Sequence, residues 1–438
     1  MPQELEKILM CSSQSGFEKK IKRLRSRMTS AARFADYGSE ENQRVVEILR
    51  NVADRGDEAV AEYTEKFDGI KLKPEEFRVS NEALDKAYQQ VNQDVLASLR
   101  QAIDNVSAYQ KDILLNKHNV PRGIRYTPIR RVGICVPGAS APLPSTVIMT
   151  AVPARVAGVR EIVVVSPPRY QGTIDPVILA VCRELGIDEV YRIGGAQAVA
   201  ALAAGTETIA KVDKIVGPGN KWVQAAKKNV SGDYVGIDSM AGPSEVLIIA
   251  SEEANPAWIA ADMLSQAEHA SDSSAVVVTD SEPFAEQVLK ELKKQLAELP
   301  RGKAAEESLK KFGAIVVVDG LSRAIEMADD FACEHLEIQC GPQSRQIAES
   351  IHNAGAIFIG SYTPVAVGDY WAGPSHTLPT GARAKFASAL TSNDFLKSIS
   401  VVEYDQEMLA ASADDIARLA EVEGLSAHAK SVRIRQQD

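Results

Sequence analysis

The sequence predicts an α/β protein built on two Rossmann-like, doubly wound parallel sheets, and three observations lead there. From about Gly133 onward, short β-branched runs alternate with Ala-rich segments of helical spacing, the pattern of a parallel sheet flanked by helices. The same alternation restarts near Val246, so a second unit follows the first. At 438 residues the chain is too long for one ordinary core, while 45% hydrophobic and 25% charged residues are those of a globular protein.

The elements follow in order. Residues 1–35 form a helical arm poor in apolar side chains, which needs a partner surface. Residues 39–110 stay helical: Val45, Val46, Ile48 and Leu49 make one apolar stripe, and 81–109 continue at helical spacing. Strands are expected at 132–136, 162–166, 190–193 and 214–216, with helices at 145–159, 176–185 and 196–204 between them. A second strand series runs through 246–250, 275–279, 314–318, 336–339 and 356–359, separated by helices such as 282–298 and 345–352. After Pro379 the pattern is loop-rich until a final helix at 411–422 and a small basic tail.

Composition excludes several classes. A formal charge of −10 argues against general binding to nucleic acid or to an acidic membrane. The one basic cluster, Lys19-Lys20-Ile21-Lys22-Arg23-Leu24-Arg25, has interleaved apolar residues and reads as the polar face of a helix. Five cysteines without a close CxxC pair fit a reducing compartment. No secretory leader and no apolar run of membrane-spanning length is evident, so a cytoplasmic location is expected.

Candidate chemistry collects in a few stretches. Gly138, Gly194-Gly195 and Gly217-Pro218-Gly219 follow predicted strands, where helix N-termini offer free N–H groups to phosphate. None is a GxGxxG, and each is equally well a tight strand-to-helix turn. In Leu264-Ser265-Gln266-Ala267-Glu268-His269, Gln266 and His269 fall three apart on one helix face, either half of a metal site or a helix end whose histidine caps carbonyls. Cys333-Glu334-His335 sets a carboxylate and an imidazole at a strand's entry, pointing to opposite faces if extended; outside a site it is a solvated turn. Asp369 and His376 lie in a glycine-punctuated loop, and His428 in the tail. Gln266, His269, Asp369 and His428 together would make an N/O donor set suited to zinc, but spacing alone cannot join residues so far apart.

From about residue 35 to the C-terminus the chain resembles the L-histidinol dehydrogenase family. The likeness rests on Ser140-Ala141-Pro142-Leu143-Pro144-Ser145-Thr146-Val147, Gly194-Gly195-Ala196-Gln197-Ala198, Asp213-Lys214-Ile215-Val216-Gly217-Pro218-Gly219-Asn220, Ala241-Gly242-Pro243-Ser244-Glu245-Val246-Leu247, the Leu264 to His269 stretch, Glu334-His335-Leu336, and Gly368-Asp369-Tyr370 followed by His376-Thr377-Leu378-Pro379-Thr380. The resemblance implies oxidation of L-histidinol to L-histidine through a bound aldehyde in two NAD-dependent steps. It implies zinc on Gln266, His269, Asp369 and His428, catalysis by Glu334 and His335, and substrate contacts at Ser244 and Glu423 as well as at the zinc ligands and His335. NAD contacts fall on Cys135, Gln197 and Asn220. An intertwined homodimer is implied, with Glu423 and His428 supplied in trans by the tail. The domain layout that goes with it is an arm at 1–35, a discontinuous substrate and zinc domain at 36–131 and 238–385, an NAD-binding domain at 132–237, and a tail at 386–438.

Four positions depart from the family pattern. Cys135 replaces a usual tyrosine, Ala139 a glycine, Cys333 a proline and Ser375 an asparagine. Two other outcomes are compatible with them: a related dehydrogenase of another small polar alcohol, such as a sulfopropanediol, or a catalytically silent member. Glu423 favours a cationic substrate over an anionic one, and the intact Glu334-His335 pair favours catalysis.

Overall fold

The computed structural model describes residues 5–29, 38–115, 123–138, 142–240, 242–300 and 302–436. The end of the expected arm, His118, Ala139, Ser140, Ala141 and Ala241 lie outside the described residues. The chain divides into a large unit, Met1–Leu114 with Pro128–Phe395, and a small one, Leu115–Thr127 with Leu396–Asp438.

The large unit opens with strand β1 (Leu9–Cys11) and helix α1 (Phe17–Met28). Helices α2 (Glu40–Asp68, broken at Gly56), α3 (Asn81–Gln90) and α4 (Gln93–Asp112) follow, with Ser39, Ser80 and Asn92 capping their first N–H groups. Strand β2 (Ile124–Pro128) belongs almost wholly to the small unit. The chain then alternates β3 (Arg131–Cys135), α5 (Pro144–Val156), β4 (Glu161–Val165), α6 (Pro176–Glu184), β5 (Glu189–Tyr191), α7 (Gly195–Ala204), β6 (Lys214–Val216), α8 (Lys221–Val230) and β7 (Gly236–Ile237). These strands form a parallel five-stranded sheet in the order β5-β4-β3-β6-β7.

A second series follows: β8 (Glu245–Ala250), α9 (Pro256–Ala267), β9 (Ser274–Thr279), α10 (Glu282–Glu298), α11 (Gly302–Phe312), β10 (Gly313–Val317), α12 (Leu321–Phe331), β11 (His335–Gln339), α13 (Ser344–Glu349), β12 (Ala356–Ile359) and α14 (Val365–Tyr370). It builds a parallel six-stranded sheet in the order β1-β10-β9-β8-β11-β12. Strands such as β8, β9 and β11 are buried along their whole length, because helices cover both faces. The doubly wound α/β class expected from the alternation is therefore the fold.

Two segments sit elsewhere than expected. The N-terminal arm is part of the second sheet: Leu9, Met10 and Cys11 pair with Ile315, Val316 and Val317. In α1, Phe17, Ile21, Leu24 and Met28 recur at helical spacing and pack into that sheet's core, leaving the basic residues outward. The helices of 36–131, expected to join 238–385, instead cover the five-stranded sheet. Val45, Ile48, Val52 and Val60 of α2 meet Val199 and Leu202 of α7, whose small alanines allow close approach, and α3 packs on α6.

The small unit pairs β2 with β13 (Leu396–Ser400) and carries α15 (Gln406–Val422) and α16 (Ser426–Arg433). The final helix thus starts earlier than the apolar pattern indicated, and a second helix follows it. The two close on one another through Ala417, Ala420 and Ala429. Among the described residues no helix is long and apolar enough to cross a membrane.

Candidate active site

β8 and β11 are neighbours in register, His335 beside Val246, which brings Glu245 next to Glu334 at the amino edge of the six-stranded sheet. The backbone of Glu245 holds both members of the pair. Its N–H donates to Glu334 Oε2 at 2.8 Å, and its carbonyl accepts from His335 Nδ1 at 2.9 Å. A carbonyl only accepts, so Nδ1 carries the proton and Nε2 keeps the lone pair. That Nε2 is buried without a hydrogen-bond partner and lies 3.8 Å from Asp369 Oδ1. The pair does not diverge to opposite faces as an extended chain would have it. Glu334 precedes the strand, and its carboxylate turns back to within 3.5 Å of His335 Nδ1.

The surroundings fix this geometry. Ser244 lies beside the Glu334 carboxyl, just before β8. The carbonyl of Cys333 accepts from the Gly355 N–H at 2.9 Å, and a Cβ on Gly355 would come within 2.5 Å of the Glu334 carbonyl oxygen, so only glycine permits the approach. Burial pushes the His335 imidazole down to about 4 and holds the Glu334 carboxyl well above its usual range. Glu245, whose own carboxyl accepts from the Gly381 N–H at 3.0 Å and is pushed up to about 7 by burial, was not singled out from sequence. A carboxylate opening a wholly apolar strand was the available signal.

Gln266 and His269 come from the end of α9, whose start is fixed by Pro256 and the Asn255 cap, and whose Ile259, Ala260, Met263 and Leu264 are buried. Gln266 is 1% exposed and neither amide atom has a partner, a costly state for a buried amide unless it serves a ligand. His269 Nδ1 donates to the Ser265 carbonyl at 2.9 Å. It caps its helix, and in doing so it fixes the tautomer that leaves Nε2 as a donor for a metal. Asp369, near the end of α14, is pushed up to about 6 by burial, partly offset by the nearby His269. Among the described residues no three His, Cys, Asp or Glu side chains could hold a metal ion by themselves. The amide of Gln266 lies outside that set, and the donors here, one amide oxygen, one imidazole and one carboxylate, fit zinc short of a further ligand. His376 adjoins the site, its Nε2 3.2 Å from Ser145 Oγ, and burial pushes it down to about 4. A cavity of about 410 Å³ opens beside Asp369, lined also by Leu99, Ser145, Met149, Tyr370 and Trp371.

The glycine turns lie at the other kind of edge, the carboxyl ends of β3, β5 and β6. Gln197 is 1% exposed with both amide atoms unpartnered, which suits a cofactor contact. Asn220 caps α8, its Oδ1 accepting from Trp222 and Val223, so only its amide N–H groups remain for a ligand. The turn before it is braced by Asp238, which accepts from the Gly217 N–H at 2.6 Å and pairs with buried Lys227. Cys135, expected at the cofactor, ends β3 beside the Gly217 turn, with its side chain 5% exposed and packed in the core. Gly195 has φ +69°, and a Cβ on it would lie 2.6 Å from Gln197 Oε1. Gly195→Ala is therefore expected to displace the Gln197 amide and weaken any ligand held there on the order of tenfold, measured by calorimetric titration. Glu423 and His428 belong to the small unit, Glu423 closing α15 and His428 in the first turn of α16, both exposed.

Comparison with known proteins gives a consistent answer. A family model described as histidinol dehydrogenase matches residues 32–436. A histidinol dehydrogenase of a Synechococcus species is 48% identical over 399 residues, 90% of this chain and 92% of that one. One from Rhodopirellula baltica is 49% identical over 394 residues, 89% of this chain and 85% of that one. A crystal structure of histidinol dehydrogenase from Elizabethkingia anophelis superimposes with a TM-score of 0.89 at 33% identity, covering 98% of each chain.

Proposed function

Because the chain belongs to the histidinol dehydrogenase family, we propose that it oxidises L-histidinol to L-histidine through bound L-histidinal, with two molecules of NAD as hydride acceptors. The observation that carries this is the unpartnered Nε2 of His335, held as a proton acceptor by the Glu245 carbonyl and facing Asp369. His335 takes the alcohol proton as the carbinol carbon gives up its first hydride, leaving the aldehyde. Glu334, buried beside His335, removes a proton from the water that adds to the aldehyde carbon. The resulting hydrate gives up a second hydride and a proton to become the carboxylate. Gln266, His269 and Asp369, with His428 of a second protomer, would hold zinc, which when bound anchors the substrate and polarises its oxygen. Gln197 and Asn220 would hold NAD, and Ser244 and Glu423 the substrate.

A homodimer follows from this assignment, because His428 and Glu423 would act in trans. The small unit supports it by exposing Val402, Tyr404, Met408, Leu419 and Val422, an apolar surface that suits burial by a partner. Five free, buried cysteines suit the reducing cytoplasm.

The test is a steady-state assay of zinc-loaded protein with NAD, offering L-histidinol and a panel of small alcohols. Two NADH per histidinol consumed is the expected result; preference for another alcohol would reassign the substrate. Glu334→Gln is expected to slow oxidation of supplied histidinal by about 10²-fold or more while alcohol oxidation falls much less. Equal slowing of both would refute the division of labour.

A further inference from the structure

The polar face of β11 does not end at His335. Alternate residues of a strand share a face, so His335, Glu337 and Gln339 look the same way, while Leu336 and Ile338 fill the core on the other side. Glu337 and Gln339 are each 1% exposed in an otherwise apolar sheet. Buried polar side chains of this kind are costly unless partnered, and each of these has partners, Gln339 through its amide N–H groups while its Oε1 has none. Gln339 Nε2 donates to Asp262 Oδ2 and to Glu337 Oε2, both at 3.0 Å. Glu337 Oε1 accepts at 3.0 Å from the N–H of Val365, the first residue of α14. The Glu337 and Asp262 carboxyls share Gln339 Nε2 as a common donor, which holds them together. Burial and the neighbouring Asp262 push Glu337 up to about 8, which favours a proton shared by the two carboxyls.

The positions of the partners give this cluster its meaning. Asp262 lies one helical turn before Gln266 on α9. Val365 lies one turn before Asp369 on α14, and Glu337 is the next residue on the face of His335. One buried carboxyl therefore touches the three elements that carry two proposed zinc ligands, the third, and the base. We propose that Glu337, with Asp262 and Gln339, is a positioning group for the metal site: its hydrogen bonds lock α9 and α14 onto β11 so that Gln266, His269 and Asp369 converge before His335. This rests on the assignment of those residues as zinc ligands.

The test measures zinc affinity of the full chain by competition with a chromophoric chelator, with the melting midpoint of the zinc-free protein and kcat at saturating zinc read in parallel. Glu337→Gln keeps the acceptor for Val365 and supplies an N–H toward Asp262 while giving up only the bond from Gln339, so affinity within about threefold of the parent is expected. Glu337→Leu removes both, and affinity weaker by about 10–100-fold is expected. A purely structural role would move the melting midpoint of both variants and the zinc affinity of neither. His269→Ala is the control on the assignment itself: retained affinity there refutes the zinc site, whereas its loss with parent-like affinity in Glu337→Leu refutes only the positioning role. A Gln variant as weak as the Leu variant would likewise overturn it. Should the Leu variant not fold, Gln339→Met breaks the link between Glu337 and Asp262, and about tenfold weaker zinc binding is expected; parent-like affinity overturns the proposal.

Discussion

His335→Asn is expected to lower kcat for histidinol oxidation by about 10²–10⁴ while the protein keeps its zinc. Asparagine retains an N–H for the Glu245 carbonyl but loses the buried nitrogen that faces Asp369, so geometry is largely preserved and proton acceptance is not. Single-turnover NADH formation and bound-zinc content check the two halves separately; loss of metal would mean that His335 is a ligand. The variant also carries a stability signature. The folded imidazole is pushed down to about 4, below the unfolded value near 6.5, so the unfolded chain binds more protons between those limits. His335 therefore contributes stability above about pH 6.5 that is lost as pH falls toward 4, on the order of 3 kcal/mol. Denaturation midpoints of the asparagine variant should fall less steeply across that window, with the steepness that remains owed in part to His376.

His428→Ala subunits mixed with His335→Asn subunits are expected to recover about one quarter of parental activity, although each alone is nearly inactive. Random pairing makes half the dimers hybrids. In each hybrid, one site joins an intact His335 to an intact His428 from the other chain, and the other site lacks both. Activity of the mixture after exchange, followed with subunits of distinguishable mass, is the measurement. No recovery despite proven exchange would locate the complete site within one chain.

Much of the fold was legible because its strands are β-branched runs buried on both sides, bounded by Gly and Pro. The short strands escaped for physical reasons. Leu9–Cys11 has three residues and no alternation, and Ile124–Pro128 and Leu396–Ser400 mix polar and apolar residues on exposed edges. Placement of α2 on the five-stranded sheet depends on which surface is flat and small enough to receive it, namely the alanines of α7, and periodicity does not carry that information. In the site, Gln266 and His269 were legible as a pair on one helix face, and Glu334-His335 as an acid–base pair. The way Glu334 and His335 are turned toward one another was not, because it is made by the main-chain N–H and carbonyl of Glu245, groups that every residue but proline would bring there. Asp369 reaches the site by topology alone, and resemblance rather than spacing joined it to His269.

The two sheets put their working ends on opposite edges, the amino edge of β8 and β11 and the carboxyl edge of β3, β5 and β6. In a parallel α/β unit the covering helices run against the strands, so α9 arrives at the first edge with its terminal carbonyls, while α7 and α8 leave the second with their first N–H groups. Such helix ends carry about half a negative and half a positive elementary charge, respectively. One winding rule, used at both of its ends, thus gives a single chain two fields of opposite sign, negative where Gln266 and His269 lie and positive at the turns that open at Gly194 and Asn220.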